Sequence, residues 1–240
     1  MIQDLLGEAR SHIASAQTIT VLTGAGISAD SGVPTFRGVD GLWRNVRPED
    51  LATPEAFEHD PRLVWEWYNW RREVLATKQP NEAHHALVRL EKRAQAFHLI
   101  TQNVDGLHQS AGSRQISELH GDIWKVRCTT CLAVVDNREV PLALLPHCRM
   151  CGGLLRPHIV WFGEALDAQV LAASFRAVES CDVMVIVGTS GLVYPAAMLM
   201  PEAKANGAFV IEVNLDPTPH SSAVDLSLQG RAKDVVPLLL

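Results

Sequence analysis

Four cysteines in two close pairs constrain this chain more than any other feature. Cys128 and Cys131 form one pair, Cys148 and Cys151 form the other, and sixteen residues separate the pairs. This spacing is typical of tetrahedral zinc held by four thiolates, a closed coordination shell that orders a small lobe and leaves no position for a substrate. Two disulfides or free thiols are the alternatives. The fifth cysteine, Cys181, precedes an apolar run and is expected to be a small buried hydrophobic residue.

The composition is that of a soluble globular protein. The chain has 240 residues, of which 47% are hydrophobic, enough for one large domain or for a domain with a smaller inserted one. Its net charge of −6 argues against a nucleic-acid binder, because neutralising phosphates requires clustered Lys and Arg. Cysteines paired for a metal are typical of a reducing compartment, so we predict a cytoplasmic location. A monomer is compatible with these totals.

Neither the N-terminal residues nor the uncharged stretch at 183–201 predicts membrane association. Residues 1–17 have the pattern of an amphipathic helix rather than of a signal peptide. Residues 183–201 carry no charge, but Gly188, Gly191 and Pro195 divide them into a short strand, a loop and the start of a helix. We therefore predict no export and no membrane span.

Apolar runs and helix-like segments alternate along the chain. Each run ends in a polar or glycine-rich turn, and the runs lie at 19–22, 97–100, 183–187 and 209–213. This alternation predicts an α/β fold with a Rossmann-like, doubly wound parallel sheet. In such sheets ligands bind beyond the carboxyl ends of the strands.

Two regions interrupt the alternation, a helical insertion at 37–77 that is rich in tryptophan and the cysteine-bearing insertion at 122–158. We predict that these insertions form a smaller lobe containing the zinc ribbon. The Rossmann-like domain then consists of 1–36, 78–121 and 159–240.

A glycine-rich turn follows the first apolar run. Gly24 and Gly26 match the G-x-G-x-x-[GA] pattern, whose bare backbone lets a pyrophosphate approach the start of a helix. A tight turn without a ligand is the alternative. A dehydrogenase would also need an acidic residue about 20 positions later, at the end of the second strand, whereas here the positions around Val46 and Arg47 lie in the helical insertion with no strand before them. Adenosine must therefore be held differently.

Two further polar elements are candidates for a site. His120 has an ordinary pKa of about 6.5, which suits a general base near neutral pH, and a structural role is its alternative. Residues 102–105 follow the second strand, and their amides and carboxylate could bind a carboxamide or ribose hydroxyls. Helix capping by Asn103 or Asp105 is the other interpretation.

Together these motifs resemble the sirtuin family of NAD-dependent protein lysine deacylases, in the compact form found in bacteria. The matching segments occur in family order and cover nearly the whole chain: 24–28, 31–38, 101–108, 118–121, the cysteine quartet, 160–164, 188–190 and 213–216. The resemblance implies one structural zinc ion and NAD as co-substrate. It implies NAD contacts from Gly24, Ala25, Gly26, Ile27, Asp30, Thr35, Phe36, Arg37, Trp43, Gln102, Asn103, Val104, Asp105, Gly188, Thr189, Ser190, Asn214, Leu215, Asp216 and Ala232.

The resemblance also implies where an acylated peptide binds. Its backbone is expected to add as a strand beside Val160, Trp161, Phe162, Gly163 and Glu164. Tyr68 and Arg71, spaced to share one helix face, look like the Tyr-x-x-Arg pair with which class III sirtuins bind the carboxylate of succinyl- or malonyl-lysine. Alternatively, Tyr68 only packs and Arg71 pairs with a nearby acid.

The reaction implied is the transfer of the acyl group to the ADP-ribose part of NAD rather than a hydride transfer. The acyl oxygen attacks the ribose carbon that carries nicotinamide, and His120 removes a proton from a ribose hydroxyl. The products are nicotinamide, free lysine and O-acyl-ADP-ribose. Acyl-lysine proteins or peptides are the implied partners. A plain deacetylase, a zinc-ribbon interaction module and a dehydrogenase are the rival interpretations.

Overall fold

A computed structural model describes residues 2–34 and 48–240. Within these residues, nine strands form two sheets. The larger sheet contains β1 (Thr18–Thr23), β2 (Ala96–Thr101), β3 (Ile116–Glu118), β7 (Val183–Val187), β8 (Phe209–Asn214) and β9 (Leu226–Gln229). The smaller sheet contains β4 (Gly121–Cys128), β5 (Val134–Asp136) and β6 (Leu155–Ile159).

The larger sheet has the strand order of a dinucleotide-binding fold. Its order is β3-β2-β1-β7-β8-β9, and every neighbouring pair is parallel. The chain runs outward from β1 through β2 to β3, then returns to the other side of β1 and continues outward from β7. The order therefore reverses between β1 and β7, where such sheets bind their ligands.

The four central strands were predicted from their apolar runs, and the two edge strands were not. β3 has three residues and β9 has four, with no continuous apolar run in either. Edge strands are short and half solvated, so burial does not demand a hydrophobic pattern from them.

Ten α-helices lie in the described residues, some on the two faces of the larger sheet and others beside the smaller sheet. They are α1 (Ile2–Ser15), α2 (Gly26–Ala29), α3 (Pro48–Leu51), α4 (Pro54–His59), α5 (Pro61–Ala76), α6 (Glu82–Arg93), α7 (Leu107–Ala111), α8 (Ala168–Glu179), α9 (Leu199–Ala205) and α10 (Ala232–Val235). On one face α1, α6 and α10 pack against Val21 and Leu99; on the other, α8 and α9 pack against Leu22 and Ile100. Successive residues of each strand thus enter opposite cores, as a doubly wound sheet requires.

The uncharged stretch at 183–201 is divided as its glycines and proline predict. It comprises β7, a loop, a 3₁₀ turn (Ala196–Met198) and the start of α9. Across the described ranges, no helix has both the length and the apolar character that a bilayer span needs.

The smaller sheet and the tryptophan-rich helix share one apolar core. Trp65 and Tyr68 of α5 pack with Ile123 and Val126 of β4 and with Trp161. Antiparallel pairing of β4 with both β5 and β6 builds the sheet.

Buried Arg72 joins α5 to the smaller sheet by hydrogen bonds as well. Its guanidinium donates to the carbonyl oxygens of Ile123 (2.7 Å), Asn137 (2.6 Å) and Glu139 (3.0 Å). Satisfying several buried carbonyls with one charged donor makes this helix and this sheet a single packed unit.

Two glycine turns meet at the carboxyl edge of the larger sheet. The Gly26 N–H donates to the Gly188 carbonyl oxygen at 2.8 Å. A Cβ atom on Gly26 would stand 2.6 Å from the Gly188 Cα, and one on Gly24 would stand 2.8 Å from the Gly188 oxygen. The glycines are thus required by backbone packing between the turns, whatever they bind.

We expect Gly26→Ala to destabilise the protein by about 1–3 kcal/mol, because the added methyl overpacks this contact. Gly7→Ala is the matched control, since Gly7 is exposed in α1 with no atom within 4 Å of the added Cβ. There the same change should stabilise by about 0.5–1 kcal/mol, the usual gain in a helix interior. Urea unfolding measures both, and equal effects of the two substitutions would contradict the close contact.

Candidate active site and metal centre

Side chains from the turns after β1, β2, β7 and β8 meet at the carboxyl edge of the sheet. Gln102 donates from Nε2 to Thr189 Oγ1 (3.2 Å), and Asn103 donates from Nδ2 to the Gly24 oxygen (3.1 Å). Asn214 donates from Nδ2 to the Thr189 oxygen (2.8 Å). The structure therefore brings together the polar residues that the sequence analysis placed at separate strand ends.

His120 lies at the same edge and its tautomer is defined by its partner. Its Nδ1 is 2.9 Å from the Gln102 carbonyl oxygen. A carbonyl only accepts hydrogen bonds, so Nδ1 carries the proton and Nε2 keeps the lone pair of the neutral ring. Burial lowers the pKa of His120 below its ordinary 6.5, and the Gln102 hydrogen bond offsets part of that effect. The imidazole is half-buried and neutral at pH 7, the form a base needs.

Asp105 and Asn103 are linked by a serine that the sequence analysis did not select. Ser28 donates from Oγ to the Asp105 carboxylate at 2.7 Å and receives a hydrogen bond from Asn103 Nδ2 at 3.2 Å. Asp105 also accepts from the N–H of Leu107, the first residue of α7, although the N-cap position of that helix is Gly106. Burial raises the pKa of Asp105. Ser28 lies in α2, directly after the glycine turn, and no local spacing marked it as a site residue.

Two other histidines form a buried pair behind this cluster. The rings of His84 and His108 are 4.9 Å apart between centroids. His108 Nε2 lies 2.9 Å from Thr23 Oγ1, and His84 Nε2 lies 3.5 Å from Ser28 Oγ. Burial lowers the pKa of His84 to about 4, so its ring is neutral at pH 7. His84 is therefore a packed core residue.

Several of the residues predicted to contact NAD make contacts with other parts of the chain. Ile27 and Ala232 are buried in the core, and the Asp30 carboxylate is 3.7 Å from both the Arg231 and the Lys233 side chains. The Val104 side chain packs against the core of the smaller sheet. Ala25 and Ser190 are half-buried, whereas Leu215 and Asp216 are exposed. The predictions for Thr35, Phe36, Arg37 and Trp43 fall outside the described residues.

Tyr68 and Arg71 do share one face of α5. The Arg71 guanidinium carbon is 5.7 Å from the centre of the Tyr68 ring and 5.0 Å from that of Trp67. Tyr68 is completely buried, and its hydroxyl oxygen accepts a hydrogen bond from Trp161 Nε1 at 2.8 Å. Burial lowers the pKa of Arg71, while Tyr68 and Asp105 act in the opposite direction.

The segment 160–164 follows β6 as a turn rather than as a strand. The N–H groups of Val160, Phe162 and Glu164 donate to backbone oxygens of the chain, and that of Trp161 donates to the Glu164 carboxylate. For the Gly163 N–H, the described residues offer no acceptor. Exposed Phe162 and Gly163 are the positions at which a peptide backbone could approach.

The four paired cysteines converge as the spacing predicts. Their sulfur atoms all lie within 4.8 Å of one another, with 3.5 Å between Cys128 and Cys151 and 3.8 Å between Cys131 and Cys148. Tetrahedral zinc with bonds of about 2.3 Å needs sulfurs about 3.8 Å apart, whereas a disulfide needs about 2.0 Å. The donor set therefore fits one structural zinc ion. Cys181 is buried elsewhere, as expected.

Comparison with known proteins identifies the family of this chain. Residues 24–195 match the Sir2 family. The chain belongs to the Sir2 family. Two similar proteins are an NAD-dependent protein deacylase of Aquifex aeolicus, 54% identical over 89% of this chain and 90% of that one, and the NAD-dependent protein deacylase sirtuin-5, mitochondrial, of Danio rerio, 44% identical over 95% and 84%.

Solved Sir2 structures superpose on nearly the whole chain. A Sir2 homologue in complex with NAD has a TM-score of 0.92 and 48% identity, and the match covers 97% of this chain and 91% of that one. A Sir2 protein with a deacetylated p53 peptide and 3′-O-acetyl-ADP-ribose has a TM-score of 0.85 and 30% identity over 98% and 96%.

The residues of this Sir2 protein fit NAD, but they lack the acidic residue with which a dehydrogenase binds the ribose. The edge offers amide, hydroxyl and bare backbone groups at the point where the strand order reverses. The residue after β2, where a dehydrogenase carries an acid for the ribose, is Gln102.

We expect Cys148→Ala to remove zinc from the purified protein and to lower its melting temperature, because three thiolates no longer close the shell. Cys181→Ala, the control, removes a thiol that lies outside the cluster and should keep one zinc per chain. Elemental analysis with thermal unfolding measures both. A Cys148→Ala protein that retains one equivalent of zinc would refute the assignment.

Proposed function

We propose that this protein is an NAD-dependent protein lysine deacylase that prefers succinyl- and malonyl-lysine and retains activity on acetyl-lysine. Family membership and the naming of its relatives support the deacylase chemistry. One observation carries the acyl preference, namely the Arg71 guanidinium 5.7 Å from the ring centre of the buried Tyr68, on one face of α5. Acylated proteins or peptides are then the substrates, and a cytoplasmic location is proposed because cysteines paired for a metal are typical of a reducing compartment.

The turns at the sheet edge would hold NAD. Bound NAD supplies an electrophilic ribose carbon with nicotinamide as its leaving group. Asn103 and Asp105 are held by Ser28 next to the glycine turn, where an amide and a carboxyl group can bind a carboxamide. Gln102 and Asn214 both bind Thr189, which keeps the β7 turn in register with its neighbours.

His120 is proposed as the base that accepts a proton from a ribose hydroxyl. The Gln102 carbonyl holds the proton on Nδ1, which leaves Nε2 as the accepting atom. Because burial lowers the pKa of the ring, its neutral form predominates at pH 7. The imidazole therefore needs no further partner to be active as a base.

Arg71 and Tyr68 are proposed to bind the carboxylate of the acyl group. A guanidinium can bind a carboxylate through two parallel charge-assisted hydrogen bonds, which a neutral acyl group cannot form. The phenol adds a neutral donor beside it, and burial, which raises the pKa of Tyr68, keeps that donor protonated. An acetyl group has no carboxylate to accept hydrogen bonds from Arg71 and Tyr68.

A plain deacetylase is the second candidate for the acyl preference. In favour of it, Tyr68 packs against Trp67 with ring centres 4.6 Å apart, and the Asp105 carboxylate interacts electrostatically with Arg71. Membership of the Sir2 family argues against the two remaining alternatives, a zinc-ribbon interaction module and a dehydrogenase.

Arg71→Met should lower the ratio of kcat/KM for succinyl- over acetyl-lysine in one peptide sequence by about 10-fold or more. The reason is that a hydrogen bond to a charged group contributes about 1.5–3 kcal/mol. Arg62→Met is the control, because Arg62 is on the same helix with an exposed side chain paired to Glu66, and it should leave the ratio unchanged. An unaltered ratio in Arg71→Met would favour the plain deacetylase.

His120→Ala should lower kcat by about 10²–10⁴-fold, the usual contribution of a general base. In the wild type, kcat/KM should rise with pH through a pKa below 6.5 and be constant above it, because only the neutral ring accepts a proton. Nicotinamide release from NAD and acylated peptide measures both. Exposed His59, changed to Ala, is the control. A wild-type rise centred above pH 6.5 would contradict this assignment.

A further inference from the structure

The Trp161 indole makes a hydrogen bond that determines how Tyr68 can act. Trp161 Nε1 lies 2.8 Å from the Tyr68 hydroxyl oxygen, and both side chains are buried, at 2% and 0% exposure. An indole N–H can only donate, so the phenol oxygen is the acceptor. The Tyr68 O–H proton must therefore point elsewhere.

No acceptor for that proton is found among the residues that the structure describes. A buried hydroxyl without an acceptor is costly, and this one lies on the helix face that also carries Arg71. A carboxylate bound beside the Arg71 guanidinium would accept it. The indole thus keeps the phenol oxygen occupied as an acceptor and its proton available as a donor.

Trp161 is itself held rigidly. The Arg156 guanidinium stacks on the indole with its carbon 3.3 Å from the ring centre, and the Phe57 ring lies at 5.3 Å. Arg156 in turn binds both carboxylate oxygens of Glu164, at 2.5 and 2.9 Å, and Glu164 accepts from the Trp161 N–H. Ion pair, stacking and backbone contact leave the indole a single orientation.

We propose that Trp161 is a positioning residue for acyl specificity, which fixes the Tyr68 hydroxyl as a donor toward an acidic acyl group. This inference rests on the proposed acidic-acyl preference. Donation into the phenol oxygen also polarises its O–H bond, so the hydroxyl binds a carboxylate more strongly than an isolated phenol would.

The test is a double-mutant cycle of Trp161→Phe and Tyr68→Phe in the full chain. Its readout is the ratio of kcat/KM for succinyl- over acetyl-lysine in one peptide, from which changes in folded fraction and in binding of the peptide backbone cancel. Tyr68→Phe should lower the ratio about 10-fold and Trp161→Phe about 3- to 10-fold. In the Tyr68→Phe background, Trp161→Phe should change it less than about twofold, because the group through which it acts is gone.

Two further variants sharpen the experiment. Trp65→Phe removes another buried indole donor, whose partner is the Leu155 carbonyl at 2.9 Å, and it should leave the ratio unchanged. If Trp161→Phe does not fold, benzothienylalanine at position 161 keeps the shape of the indole without its N–H and should lower the ratio equally.

The outcomes separate this inference from the proposed function. If Tyr68→Phe and Arg71→Met lower the ratio while removal of the Trp161 N–H does not, the positioning role fails alone. Additive effects of the two phenylalanine substitutions would also overturn it, since Trp161 would then act independently of Tyr68. If neither Arg71→Met nor Tyr68→Phe changes the ratio, the acidic-acyl preference and this inference fail together.

Discussion

The contact between the turns after β1 and β7 is the constraint on which the site depends. The hydrogen bond from Gly26 to the Gly188 oxygen can form only where neither turn carries side chains between the two backbones. It brings Ser28 and Thr189 to one edge, and these two hydroxyls orient the amides of Asn103 and Gln102. Four polar side chains proposed to hold NAD are fixed, directly or through one neighbour, to this pair of turns, namely Gln102, Asn103, Asp105 and Asn214.

The smaller sheet is joined to the same site by indole and guanidinium hydrogen bonds as well as by the chain itself, since β4 begins directly after His120. Trp124 of β4 donates from Nε1 to the Asp105 carbonyl oxygen at 2.8 Å. Arg72 fixes α5 on β4, and Trp161 joins the turn after β6 to Tyr68. The four cysteines lie at the other end of β4, where a zinc ion would stabilise this sheet and its closed shell would leave no position for a substrate. One packed lobe therefore contains both the four metal-ligating cysteines and the residues proposed to set the acyl preference.

Much of the fold could be predicted because its signals are local. The four apolar runs lie in the four central strands, and the cysteine spacing is realised as a cluster of four sulfurs. The edge strands β3 and β9 escaped prediction because half-solvated strands carry no such pattern. Ser28 was overlooked for a related reason. Its importance lies in contacts with Asn103 and Asp105, about 75 positions further along the chain, and no local spacing reports them.

The sequence by itself determined the parallel sheet, the metal ligands, the family resemblance and the candidate base, since each depends on residue types at fixed separations. Only the tertiary structure decided that Nδ1 of His120 is the protonated nitrogen and that the Tyr68 oxygen is an acceptor. Those states depend on which atoms of Gln102 and Trp161 come within hydrogen-bond distance. Donor and acceptor roles are properties of pairs of groups, and the pairs exist only after the chain has folded.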